Sequence, residues 1–143
     1  MEKNNTPQNR FSSVSYGGYR IEYPTLEEVN GFERDLSWDE RFEVLHQGYK
    51  RGCYIEQCYS IRELATRVAE RNPYDPTGGV RFLEGEKLVE WIRDVVGDRD
   101  LATTIEKIYA AEESMAVIVD TVRVVLMARM NQYSEVLEEA DVD

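Results

Sequence analysis

One histidine, two cysteines, four prolines and four lysines are all that 143 residues supply of these types. A single His excludes a His-rich metal centre, and two Cys exclude a disulfide framework. No run of about 18 apolar residues occurs, so no membrane-spanning helix is expected. The most apolar stretch, Met115 to Met127, is too short and is interrupted by Asp120 and Arg123. The first ten residues lack the apolar segment of a secretory signal, which makes the cytoplasm the expected compartment and reduced thiols the expected state of Cys53 and Cys58. Positive charge is also scarce. Asp and Glu number 28 against 17 Lys and Arg, a net charge of −11. That balance argues against direct nucleic-acid binding, which needs cations to displace counterions, and against docking on anionic lipid.

What is present is a chain of one-domain length with 42% hydrophobic residues, enough for a core. The expected organisation is a flexible tail over 1–15, a single helical domain over 16–139 and a frayed acidic end over 140–143. Tyr16 to Pro24 places Tyr19, Ile21 and Tyr23 in alternation and reads as a short strand or extended arm. Helix starts are marked by Ser or Thr followed three residues later by Glu: Thr25–Glu28, Ser37–Glu40 and Ser60–Glu63. A fourth match, Thr103–Glu106, falls inside a helical pattern and is discounted. The spacing predicts a helix from Ser37 with Trp38, Phe42, Leu45 and Tyr49 on one stripe. It predicts another from Ser60 with Ile61, Leu64, Ala65 and Val68 inward. A further helix runs from about Gly85 to a stop at Gly97, and Asp98 caps its successor.

The strongest pattern lies near the carboxyl end. Leu101, Ile105, Ile108, Glu112, Met115, Val119, Val122, Leu126, Arg129, Tyr133 and Val136 follow alternating steps of four and three. Such a period predicts a long helix along a seam, with room for a break near Glu113–Ser114. The seam is buried either under the chain's own shorter helices or in a homodimer formed through residues 101–136. The fold class is therefore mainly α, a small bundle of four to six helices with a long C-terminal helix and a short extended N-terminal segment.

Chemistry-bearing patterns are weak. Cys53 and Cys58 do not form the C-x-x-C spacing, and a zinc site would need carboxylates to complete its ligands. The glycine pairs match no phosphate-binding loop. No catalytic residue, cofactor or metal ligand is assigned. His46 with Cys53 or Cys58 could act only through a tertiary arrangement invisible in sequence. Tyr residues interleaved with cations offer a different reading, because Tyr and Arg dominate interface hot spots. The stretch around Tyr49, Lys50, Arg51, Tyr54 and Tyr59 is the preferred protein-contact surface, and Arg93, Asp94 and Asp98 form a second candidate contact corner.

The run from Leu88 to Ala102, with Trp91, Ile92, Arg93, Asp94, Gly97, Asp98, Leu101 and Ala102, resembles the W-I-R-D-V-V-G-D-x-x-L-A signature of an uncharacterised domain family of archaea and bacteria. The resemblance covers residues 60–105. It departs just ahead of the run, where Arg81–Phe82 stands in place of Phe-His. It implies a small α-rich module and no catalytic residues. The expected function is that of a non-enzymatic binding or regulatory protein acting through protein–protein contact. The alternatives are an acidic mimic of nucleic acid that blocks a nucleic-acid-handling protein, and a small enzyme using His46, Cys53 or Cys58.

Overall fold

The computed structural model describes residues 18–48, 52–70, 79–112 and 114–141, and the fold over these is mainly α. The elements run in order α1 (Leu26–Phe32), a 3₁₀ turn (Trp38–Glu40), β1 (Phe42–Gly48), β2 (Gly52–Cys58) and α2 (Ile61–Ala69). Then come α3 (Gly85–Glu90), which continues as a π-helical turn (Trp91–Val96), α4 (Arg99–Ala111) and α5 (Met115–Ala140).

The local capping signals act where they stand. The Thr25 hydroxyl accepts from the Glu28 N–H, and the Glu28 carboxylate accepts from the Thr25 N–H, a complete capping box at α1. At α2 the Ser60 hydroxyl accepts from Glu63 N–H, while the Glu63 carboxylate reaches one residue further back to Tyr59 N–H. Gly97 ends the π turn at φ +99°, and its N–H bonds to the Ile92 carbonyl five residues earlier. Asp98 then caps α4 through Leu101 N–H. The long seam is two helices. The chain leaves helical geometry at Glu112, and Ser114 caps α5 afresh.

The helix expected from Ser37 is corrected to a hairpin. At Ser37 the Glu40 carboxylate accepts from the Ser37 N–H and hydroxyl, but this starts only the 3₁₀ turn before Arg41 becomes extended at φ −66°, ψ 159°. The spacing of Trp38, Phe42 and Leu45 suits a helix, yet the same stretch alternates. Phe42, Val44 and His46 share one face, and Glu43 and Leu45 share the other. A second strand rich in β-favouring residues stands ready to pair in register, Phe42 opposite Cys58, Val44 opposite Glu56, His46 opposite Tyr54 and Gly48 opposite Gly52. The inner face carries Val44 and Cys58 into the core, and Phe42 stacks on Trp91 with ring centroids 5.0 Å apart. The helical stripe is thus outweighed by non-local pairing. Trp38 is left 60% exposed with the Arg41 guanidinium 3.5 Å over its ring.

One apolar cluster joins all the helices and the hairpin's inner face. α5 supplies Ile118, Val119, Val122, Val125, Leu126, Met130 and Tyr133 to it, so the apolar seam is filled within one chain. α5 runs through Glu135 to Ala140, with Val136 and Leu137 against the core. The arm before α1 forms no strand among its described residues. Its carbonyls are taken by side chains of α5 instead: Gln132 Nε2 donates to Ile21 O and Arg129 Nη1 to Glu22 O, at 2.8 and 2.7 Å.

Candidate functional site

Among the described residues the two strands form a two-stranded sheet, β1 paired with β2. The other edge of β1 borders a groove of about 680 Å³. The walls are β1 on one side and the segment from Phe82 through α3 and the π turn on the other, with no residue of β2 among the lining. Trp91, buried and anchored by its indole N–H donating to the Glu40 carbonyl at 2.7 Å, lines the groove beside Phe42 and Val44. Phe82 stands 48% exposed at the margin, and Leu45 contributes from the hairpin's outer face, where it sits opposite Ile55, itself 56% exposed. The charged lining is Glu43, Glu84, Glu90 and Asp94 against Arg41 and Lys87. Arg41 is engaged locally, donating to Gln57, Glu43 and the Trp38 carbonyl. The groove is therefore an apolar floor with an acidic rim.

The residues picked out by sequence divide sharply. Tyr49, Lys50 and Arg51 lie outside the described residues. Tyr54 is 46% exposed on β2, its ring 5.0 Å from that of His46. Tyr59 is half-buried at the end of the hairpin, and its carbonyl accepts from Leu36 N–H. Arg93 and Asp94 pair with each other in solvent through two hydrogen bonds of 3.1 Å. The bond from Arg93 holds the Asp94 carboxyl below its ordinary range, but the solvent that reaches both side chains makes the pair a weak contributor to stability. Asp94 also lines the groove, so this half of the proposed corner is accessible.

Asp98 is corrected. It is 1% exposed and forms no contact surface. Arg129, also 1% exposed, grips it with two bonds of 2.8 Å, and the Tyr133 hydroxyl donates to it as well. Burial alone would lower the Arg129 pKa, and the hydrogen bonds and charge of Asp98 override that and raise it. Burial, with the same carboxylate beside it, pushes the Tyr133 hydroxyl up. The cluster ties the start of α4 and the arm to α5. A signal for it existed in the sequence: Arg129 interrupts an apolar stripe, and a cation on a buried stripe requires a counter-charge.

His46, Cys53 and Cys58 do not converge. His46 lies on the inner face of β1, whereas Cys53, opposite Gln47, belongs to the outer face of the hairpin. Cys58 is fully buried at the far end of the register, and burial, helped by Glu63, pushes its thiol up to about 12. Thiol labelling of the folded protein at pH 8 should therefore modify Cys53, which is exposed, and spare Cys58 until denaturant is added. Mass-spectrometric mapping of the adducts checks this, and equal labelling of both would show that the hairpin's inner face is open.

No protein-family model matches the chain, and no curated protein or solved structure matches it. The Leu88–Ala102 run that carries the family resemblance forms the turn from α3 through Gly97 and Asp98 into α4. No helix among the described residues is long and apolar enough to cross a membrane.

Proposed function

We propose that the chain is a small protein-binding module whose contact site is the groove along the open edge of β1. Its occupant is an extended segment of a partner protein, carrying apolar side chains in alternation with Lys or Arg. The observation that carries this reading is the coincidence of a strand edge that no other described strand pairs with and an apolar, acid-rimmed groove beside it. An unpaired edge offers a row of backbone donors and acceptors, and adding a strand there is a recurrent mode of peptide recognition. Side chains of the added strand would alternate between the groove floor at Phe42 and Trp91 and the exposed Leu45–Ile55 pair, while the rim carboxylates select cations. The resemblance to an α-rich module without catalytic residues agrees with this reading, as does the net charge of −11.

Selection from a library of random twelve-residue peptides tests it. The expected winners are extended, apolar and basic in alternation, and they slow hydrogen exchange of β1 amides on binding. Phe82→Asp and Leu45→Asp, both at exposed positions, should each weaken binding at least tenfold without altering the melting temperature. Peptides that bind these variants as well as the parent chain would reject the site. Raising salt from low to high concentration should weaken binding through the rim. Salt-indifferent binding would reject a role for the acidic charge, and with it the alternative of a nucleic-acid mimic.

A further inference from the structure

A second group of side chains lies beneath the hairpin. The register turns His46 of β1 and Glu56 of β2 to the same inner face, and α2 ends at Glu70, its C-terminal cap, against them. His46 Nε2 stands 3.9 Å from Glu56 Oε1 and 3.8 Å from Glu70 Oε1. One ligand atom from each of the three residues lies within 4.8 Å of the other two. The remaining carboxylate oxygens are turned outward to Arg67, with Glu56 Oε2 at 3.6 Å from Nε and Glu70 Oε2 at 3.6 Å from Nη1. Each glutamate is thus divided, one oxygen toward the guanidinium and one toward the imidazole.

These separations are too long for hydrogen bonds. Glu56 Oε1 and His46 Nδ1 are fully buried without a hydrogen-bond partner, and Arg67 Nε shares that condition. A buried carboxylate oxygen left without a partner carries a desolvation cost that a bound cation would remove. The spacing fits one. Ligands at about 2.0–2.2 Å around a tetrahedral zinc ion stand roughly 3.4 Å apart, so the two His46 distances of 3.9 and 3.8 Å would shorten by about half an ångström, while the two carboxylates, within 4.8 Å of each other, would swing together by up to about 1.4 Å. An imidazole with two carboxylates suits Zn²⁺ better than Ca²⁺, which takes six to eight oxygens.

We propose that His46, Glu56 and Glu70 form a binding site for a divalent ion of the zinc type, with the fourth position left to water and Arg67 holding the two carboxylates from outside. The ion would fasten the end of α2 to the paired strands β1 and β2, where ion pairs of 3.6 and 3.8 Å already reach across. The site stands apart from the groove and does not depend on its occupant.

Calorimetric titration of Zn²⁺ into the full chain, in a Cys53→Ser background that removes the exposed thiol as a competing ligand, tests the site. One saturable site per chain is expected, with a higher melting temperature when it is filled. His46→Gln and Glu56→Gln should each lower the affinity at least tenfold, and Glu70→Gln several-fold. Glu70 is half exposed, so that variant keeps the reading decisive if a buried substitution fails to fold. Glu86→Gln, on the acidic surface, should leave the affinity unchanged. Absence of saturable binding at millimolar Zn²⁺, or equal affinity in Glu70→Gln and the parent, would overturn the assignment.

Discussion

Arg129→Met is expected to lower the free energy of unfolding by about 3–5 kcal/mol, the cost of breaking a buried ion pair on one side. Small domains have roughly 5–15 kcal/mol in all, so the variant should be near the limit of folding. The reason is specific. Four of Arg129's hydrogen bonds are made inside the protein: two to Asp98, one to the Gln132 side chain and one to the Glu22 carbonyl. Methionine fills much of the volume and leaves the Asp98 carboxylate buried with only Tyr133 and the Leu101 N–H for company. Asp98→Asn added to Arg129→Met should recover part of the loss, because the uncompensated charge goes while an oxygen remains to cap α4. A urea-unfolding cycle over the two single variants and the double variant checks this. A loss under 1 kcal/mol for Arg129→Met would mean that the pair is hydrated in solution.

Val122→Glu should unfold the chain at neutral pH. Val122 is fully buried midway along α5, in the cluster that joins the helices. A carboxylate there has no counter-charge by design of the stripe, and placing an unpaired charge in such a site costs several kcal/mol. The side chain escapes part of that cost by protonation. Its pKa would be higher folded than unfolded, so stability should be greatest below the unfolded value and decline as pH rises through the folded one. Circular dichroism at pH 5 and pH 7 should therefore show more folded protein at the lower value. Val122→Ala, which leaves a cavity without a charge, should remain folded at both. A Val122→Glu variant that melts like the parent would place this residue outside the core.

The sequence and the structure agree where the determining physics is local. A hydroxyl that caps a helix and the glutamate that answers it are three residues apart, so α1 and α2 could be located from letters alone. The Gly97–Asp98 turn is equally local: a left-handed residue followed by a cap. The hairpin was different. Residues 38–49 satisfy a helical stripe and a strand alternation at once, and only the existence of a partner strand at the right register decides between them. His46 reaches Glu56 ten positions on and Glu70 fourteen beyond that, spacings that no ligand pattern contains. The groove likewise joins β1 to residues some forty positions later, and its edge is defined by which strand does not pair there. Asp98 was misplaced on the surface because its partner Arg129 lies 31 residues away, although the misfit of Arg129 in its own stripe pointed to burial of a charge.

The docking of the arm carries a consequence for biosynthesis. Ile21 and Glu22 hand their carbonyls to Gln132 and Arg129, partners more than a hundred residues later in the chain. A ribosome therefore releases the arm long before α5 exists to receive it, and those carbonyls stay hydrated until α5 has emerged. Docking of the arm waits for α5 to emerge, so the nascent chain passes through a stage in which this contact is open to chaperones and proteases.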